Sequence, residues 1–429
     1  MFKVFANAWK VKDIRKKLMF IFLVLLIYRI GSKIPLPGID LVQLDTYLHG
    51  NSGSITTLFS IIAGGGVGSI FAMGIAPYIT SSIIMQLLTV AIPKLEQLQK
   101  EGEEGRKKIN QYTRIVAVGL SMLQAGATVY GYRYTQIGSL FYHNEMFVYI
   151  VAVIAMMTGT IFIMWLGELL TEKGIGNGSS FIIFSNIIAN LPQGVMSMYS
   201  LVDPNAENPV RGWITIILML AVFAALIAFV VLIQDGERRI PVQYSRKTAG
   251  KQMYGSNSSF IPIKVNIAGV MSIIFAISLL QFPQQLLQFF RGNAALTKIT
   301  QFLDVTSGWT GSVIYIVLIF MFTFFYTSFA VNPVEMAENM RKNGGFIPGI
   351  RPGKPTSEYI QKTVDRLSWI GAVFYCVVAM APYLLQRFSG GTRMGFGGTT
   401  LLIVSGVALE FIKQLESQLL MRHYKGFLS

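Results

Sequence analysis

The residues able to do chemistry are few and scattered. His49, His143 and His423 lie far apart in the chain, with no CxxC or HExxH near any of them. Zinc and haem sites need ligands at short, fixed spacings, so no metal site is expected. The one cysteine, Cys376, stands inside an apolar stretch and has no partner for an intrachain disulfide. It is expected as a small buried hydrophobe rather than a reactive thiol. Glu168 and Glu410 fall near the ends of apolar stretches, and no carboxylate occupies the middle of a clear one. Proton- and sodium-coupled transporters hold carboxylates near the bilayer midplane. An intramembrane protease would need a nucleophile with its base, or a metal cluster, and the sequence displays neither. The glycine clusters GGGVG (64–68) and GIGNG (174–178) lack the GxxxxGK pattern of a phosphate loop, and no Rossmann strand precedes them. They suit hinges or close packing. What remains is positive charge. Segments 93–114, 234–264 and 332–366 carry six Lys and Arg residues each. Membrane topology alone accounts for isolated lysines. Long loops with turn signals are more often functional, and these fit docking of a large, negatively charged partner. No catalytic residue and no cofactor is expected.

The elements that must present this charge are apolar. Of the 429 residues, 52% are hydrophobic and 13% charged, yet the formal net charge is +15 and the mean hydropathy +0.53. A soluble surface needs far more charge than this. The composition excludes a disordered chain, a disulfide scaffold and most soluble enzymes. Ten apolar stretches approach the length that spans a bilayer: 17–35, 71–92, 114–132, 147–167, 179–199, 212–233, 266–290, 310–331, 367–386 and 398–414. The first, fifth and tenth are weaker and are expected inside a bundle. Lys3 to Lys17 followed by Leu18–Tyr28 resembles a signal sequence, but RIGSKIPLPG offers no cleavage site, so a retained first span is expected. Of the 36 Lys and Arg residues, 28 fall in the termini and alternate loops, and eight in the other set. This places both termini in the cytoplasm by the positive-inside rule. Segment 41–70 is too broken to cross as a stable helix and is expected to re-enter. Within 234–264, IPVQY and FIPIKV read as two β-like arms around a Gly/Ser/Lys turn. Segment 93–114 reads as a short solvated hairpin or helix end. A secondary transporter with broken helices and a membrane-embedded enzyme are the rival classes.

Eight segments together resemble the SecY family, channel subunits of the bacterial Sec protein translocon. They are RIGSKIPLPGID (29–40), APYITSSIIMQLL (76–88), KEGEEGRKKINQYTR (100–114), MWLGELLTEKGIGNG (164–178), GERRIPVQY (236–244), KVNIAGV (264–270), FFYTSFAVNPVEMAENMRKNGGFIPGIRPG (324–353) and FGGTTLLIV (396–404). The resemblance implies an all-α polytopic membrane protein. Ten transmembrane helices would form two pseudo-symmetric five-helix halves, 1–200 and 201–429, around a central pore, with a re-entrant plug helix at about 55–70. By the same resemblance, Gly64, Gly65, Gly66, Val67, Gly68 and Ser69 belong to the plug. Ile75, Ile79, Ile183, Ile274 and Ile403 belong to an apolar pore ring. A sixth ring position falls on Ser179, where the family often has Ile. Ile75 and Ile79, four apart, share a helical face, and apolar rings gate by dewetting without holding an ion. Thr80, Gln86 and Phe282 would line a lateral gate. Arg238, Arg239 and Arg351 would dock a motor ATPase, SecA, or the ribosome, since a guanidinium fork suits carboxylate and phosphate. The implied activity is conduction of unfolded preproteins across the bacterial plasma membrane and lateral release of transmembrane segments into lipid. SecA or the ribosome would supply the drive, and SecE and SecG would be partner subunits.

Overall fold

The computed structural model describes residues 8–38, 68–133, 146–199, 209–244, 258–287 and 309–388, then 398–425 and a few single positions around 299–305. Its elements follow in order: α1 (Lys12–Gly31), α2 (Ala76–Ala91), α3 (Pro93–Lys100), α4 (Glu103–Arg133), α5 (Met146–Lys173), α6 (Gly178–Tyr199) and α7 (Pro209–Asp235). Two strands come next, β1 (Glu237–Tyr244) and β2 (Ser258–Lys264). They precede α8 (Met271–Leu286), α9 (Trp309–Ala330), α10 (Pro333–Lys342), β3 (Gly345–Phe346), α11 (Lys354–Phe388) and α12 (Gly398–Lys425).

Each of the ten expected stretches falls on a helix, but the ends differ. Residues 71–75 are turns, and α2 begins at Ala76 with Pro77 in its first turn. Proline there gives up an N–H that the helix would leave unpaired anyway. α4 starts at Glu103 and α11 at Lys354, well before the apolar stretches at 114 and 367. These early turns are polar, so hydropathy misses them while helix propensity keeps them. Segment 93–114 is accordingly a helical hairpin: α3, a turn at Glu101 and Gly102, and the first turns of α4 packed back on α3. α2 and α3 meet at a 100° bend. Ile92 is extended there (φ −110°, ψ 113°), the conformation that a following proline imposes. Among the described residues, four helices are long and apolar enough to cross a bilayer: Met146–Lys173, Ile216–Asp235, Trp309–Lys342 and Lys354–Ala381. The bent α2–α3 pair adds a fifth, and Gly178–Asn190 and Met271–Leu286 are shorter apolar helices.

The packing has a seam. α2 packs on α4, α4 on α5, α5 on α6 and α1 on α5. In the later chain, α8 packs on α9, α9 on α11, α7 on α12 and α11 on α12. The most extensive contacts between these groups run through α2 and α4 against α8, and through α6 against α12. Glycines permit the tightest approaches. A Cβ on Gly178 would stand 1.9 Å from the Gly167 carbonyl oxygen, and one on Gly159 2.4 Å from that of Ile70. The GIGNG cluster therefore serves close packing at the α5–α6 turn.

A small sheet sits beside the helices, in the order β2-β1-β3. β1 and β2 pair antiparallel from Glu237↔Lys264 to Gln243↔Ser258. These are the two arms expected from IPVQY and FIPIKV. β3 adds Gln243↔Phe346 and Tyr244↔Gly345, a pairing that nothing local in the sequence signals. Ile240, Val242 and Ile263 turn one face of the sheet onto Met340, Ile347, Ile360, Val364 and Leu367. The loop after α7 and the loop after α9 thus fold as one body. Asn332 caps α10 by accepting from the Glu335 N–H at 3.3 Å.

Candidate functional site

One apolar cluster gathers side chains from both sides of the seam. Ile75 is 1% exposed at the head of α2, and Ile183 is 6% exposed on α6. Ile79 from α2, Ile274 from α8 and Ile403 from α12 are half-buried and pack against the same cluster. Ile79 and Ile274 also touch the core formed by α8, α9 and α11. All five isoleucines named by the resemblance therefore meet one cluster. Ser179 lies beside them. A Cβ built on Gly167 would meet Ile75 Cδ1 at 3.5 Å, Ile182 Cδ1 at 3.4 Å and Ser179 Oγ at 3.5 Å. The Ser179 N–H donates to Asn177 Oδ1 at 3.0 Å, and the Gly178 N–H to Thr171 Oγ1 at 2.8 Å. These bonds fix the first turn of α6 and with it the placement of Ser179 and Ile183. The isoleucines bring no hydrogen-bonding group to the cluster, so it can seal without binding a polar solute.

Of the plug positions, Gly64, Gly65, Gly66 and Val67 lie outside the described residues. Gly68 and Ser69 are tied to the chain after α1. The Leu36 N–H donates to the Gly68 carbonyl at 2.7 Å, and the Ile70 N–H to Ile34 at 3.1 Å. Gly68 takes a positive φ of 80° to make this bridge. Phe71 then stacks on Tyr28 at 5.9 Å, and the Tyr28 hydroxyl donates to Asn186 Oδ1 at 2.8 Å. The segment entering α2 is thereby anchored to both α1 and α6.

The three gate positions behave differently. Thr80 is buried and donates to the Ala76 carbonyl of its own helix at 3.0 Å. Gln86 reaches across: its amide nitrogen donates to Ser82 Oγ at 3.3 Å, and its carbonyl accepts from the Tyr326 hydroxyl of α9. Tyr326 also meets Phe275 of α8 edge-on at 4.8 Å. Phe282 is half-buried two turns further along α8, directly before Pro283. Tyr326 was not singled out from the sequence. Its signal is the one phenolic hydroxyl within the aromatic run FMFTFFYTSF.

Arg238 and Arg239 are exposed neighbours on β1, on opposite faces of the strand. Arg239 is held: its Nε donates to Glu237 Oε1 at 2.7 Å, and its guanidinium lies 4.8 Å from the centre of the Phe260 ring. Arg238 makes no ion pair among the described residues. Arg351 is exposed in a turn whose Gly349 and Gly353 have positive φ, and its carbonyl accepts from Thr356 Oγ1 at 2.8 Å. Because β3 pairs with β1, all three arginines ride on the same sheet-centred body. Among the described residues no three His, Cys, Asp or Glu side chains come together as a metal site. Cys376 is half-buried, its thiol 4.0 Å from the Ile316 carbonyl.

Comparison with known proteins is unambiguous. A family model described as SecY matches residues 69–412. The chain is 42% identical over 441 residues to the "Protein translocase subunit SecY" of Streptomyces coelicolor, covering 100% of each. It is 41% identical over 438 residues to the protein of that name from Thermus thermophilus, covering 100% of this chain and 98% of that one. Among solved structures, "The structure of a protein conducting channel" aligns with a TM-score of 0.66 at 18% identity, over 94% of this chain and 91% of that one. Sec61 in a canine ribosome–channel complex aligns with a TM-score of 0.63 at 17% identity, again over 94% and 91%.

Proposed function

This chain belongs to the SecY family, and from that premise we propose how its geometry conducts polypeptide. It is a protein-translocation channel embedded in the membrane, and it is not an enzyme. The secondary-transporter reading finds no support in the comparisons. All ten apolar helices would cross the bilayer as two five-helix halves, divided near residue 200. The seam between the two packing groups supports this division. The pore runs along that seam. Its constriction is the ring of Ile75, Ile79, Ile183, Ile274 and Ile403, with Ser179 at the sixth position. The observation that carries this reading is the single apolar cluster that all five isoleucines meet. Such a ring yields to a passing chain and binds no side chain strongly, and dewetting closes it to ions.

The plug covers 55–70, and its C-terminal end is the bridge at Gly68 and Ser69. The lateral gate opens where α2 meets α8 and α9, at the Gln86–Tyr326 bond, with Thr80 and Phe282 beside it. Hydrophobic segments leave the pore there for lipid. Arg238, Arg239 and Arg351 dock the driving partner, the ribosome or a SecA ATPase, and SecE and SecG complete the complex. One-sided charge supports a plasma-membrane orientation with both termini in the cytoplasm. The test is reconstitution with SecE in vesicles. A signal-bearing precursor is expected to enter when a SecA-type ATPase and ATP are supplied. Entry that ignores ATP, or no entry at all, would defeat this reading.

A further inference from the structure

A cavity of about 300 Å³ opens between the last turns of α9 and the first half of α11. That is the small end of ligand-pocket volumes, the size of a headgroup rather than a whole lipid. Phe324, Phe325 and Val364 give it apolar walls, and Thr327, Gln361 and Asp365 give it polar ones. Thr327 is 3% exposed, yet its Oγ1 has no hydrogen-bond partner among the described residues. Other threonines in these helices satisfy themselves locally. Thr323, one turn earlier, donates to the Ile319 carbonyl at 2.7 Å, and Thr363 on α11 to that of Tyr359 at 2.9 Å. Leaving a buried hydroxyl unpaired costs about 1–3 kcal/mol, so Thr327 is placed for something that enters the cavity. Asp365 accepts one bond, from Gln361 Nε2 at 2.8 Å, and no cation pairs with it among the described residues. An ionised carboxylate has about four acceptor sites, so most of its capacity is open.

The depth of the cavity narrows the ligand. α9 is apolar through Ala330 and then meets Asn332-Pro333, while α11 is polar before Leu367. The cavity lies at that change. Trp369, 58% exposed, meets Phe324 edge-on at 5.5 Å beside it, and tryptophan belongs at headgroup level. A carboxylate and an acceptor hydroxyl call for N–H donors and repel a bare phosphate. A primary ammonium offers three donors, and a quaternary one offers none. Lys362 and Arg366 follow Gln361 and Asp365 in the chain and are exposed, which supplies counter-charge for a lipid phosphate.

We propose that this cavity is a binding site for the primary-amine headgroup of a phospholipid, with its ammonium on Asp365 and Thr327 and its chains along Phe324. The proposal needs only that α9 and α11 meet the bilayer. The test titrates the purified translocase complex in detergent with dioleoylphosphatidylethanolamine, its N-methyl and N,N-dimethyl forms, phosphatidylcholine and phosphatidylglycerol, counting bound lipid by native mass spectrometry. On the unchanged protein, affinity is expected to fall with each added methyl. Asp365→Asn, which keeps shape and the Gln361 contact, and Thr327→Val are each expected to weaken phosphatidylethanolamine binding about tenfold, the factor for one charge-assisted hydrogen bond. Phosphatidylglycerol binding should not move. Equal binding across the methyl series would overturn the proposal. So would variants that hold phosphatidylethanolamine as the parent does, or free ethanolamine that binds as tightly as the lipid.

Discussion

Replacing Tyr326 with phenylalanine removes one hydroxyl and leaves the ring edge against Phe275 in place. The hydroxyl is the donor to Gln86, and that bond joins α2 to α9 across the seam. Interhelical side-chain bonds in membranes average about 0.6 kcal/mol and reach about 1.7 at most. Gln86 is half-buried and keeps its bond to Ser82, so its freed carbonyl can recover partners, and the lower figure applies. At RT of about 0.6 kcal/mol, that loss moves a closed–open equilibrium about threefold toward open. The assay is translocation of a precursor with a defective signal sequence, measured in reconstituted vesicles beside an intact precursor. Tyr326→Phe should raise the defective precursor's yield about threefold and leave the intact one unchanged. Gln86→Leu should do the same. The double variant should match either single change, because one bond cannot be lost twice. Additive effects, or no effect in either single variant, would refute the assignment of this bond to gating.

Ile274→Asn and Ile403→Asn place an amide in the apolar cluster at half-buried positions, so folding should survive while ion conductance of the resting channel in planar bilayers rises. A Leu exchange at either position should leave the seal intact. Arg351→Glu should impair SecA- or ribosome-driven transport without shifting thermal unfolding. Arg239→Glu should do both, since it sets a second carboxylate beside Glu237 and loses a ring contact of about 0.5–1 kcal/mol. Gly178→Ala drives a methyl to within 1.9 Å of the Gly167 carbonyl and should cost about 3 kcal/mol by thermal unfolding in detergent. Gly119→Ala, with nothing within 4 Å, is the matched control.

Hydropathy located the cores of the ten apolar helices, because burial in lipid needs long apolar runs whatever the tertiary fold, and it missed the short polar helices α3 and α10. It misplaced the ends of α4 and α11, whose polar turns extend beyond the apolar core. The β1–β2 arms were legible from IPVQY and FIPIKV because alternation is local. β3 was not, since two residues carry no period and their pairing is set about a hundred residues away. The isoleucines proposed for the ring are the sharpest case. An isoleucine facing lipid and one facing a pore obey the same composition rule. Only the family pattern distinguished Ile274 and Ile403 beforehand, and only their shared cluster makes them neighbours. Tyr326 escaped because a tyrosine hydroxyl stands too far out to bond the preceding turn as Thr323 does, and its partner Gln86 lies on another helix, 240 residues away in the chain.

The strengths of these contacts are distributed unevenly, and the distribution bears on how force reaches the pore. The sheet joins the loop after α7 to the loop after α9 by a backbone ladder and a buried apolar face. Breaking it would expose several large side chains at about 1.5–3 kcal/mol each. The seam relies on an apolar cluster and on single side-chain bonds, Gln86–Tyr326 and Lys17–Gln418, which cost little to break. A partner gripping Arg238 and Arg351 therefore pulls on one rigid body whose helices, α7 through α11, lie on a single side of the seam. Load applied there should part α8 and α9 from α2 before it unzips β1 from β2. A crosslink between Gln243 and Phe346, paired neighbours on β1 and β3, should then leave driven transport intact. One between α2 and α9, at Gln86 and Tyr326, should stop lateral release of transmembrane segments. If the sheet crosslink blocks transport as fully as the seam crosslink, the loops must move apart, and the rigid-body account fails.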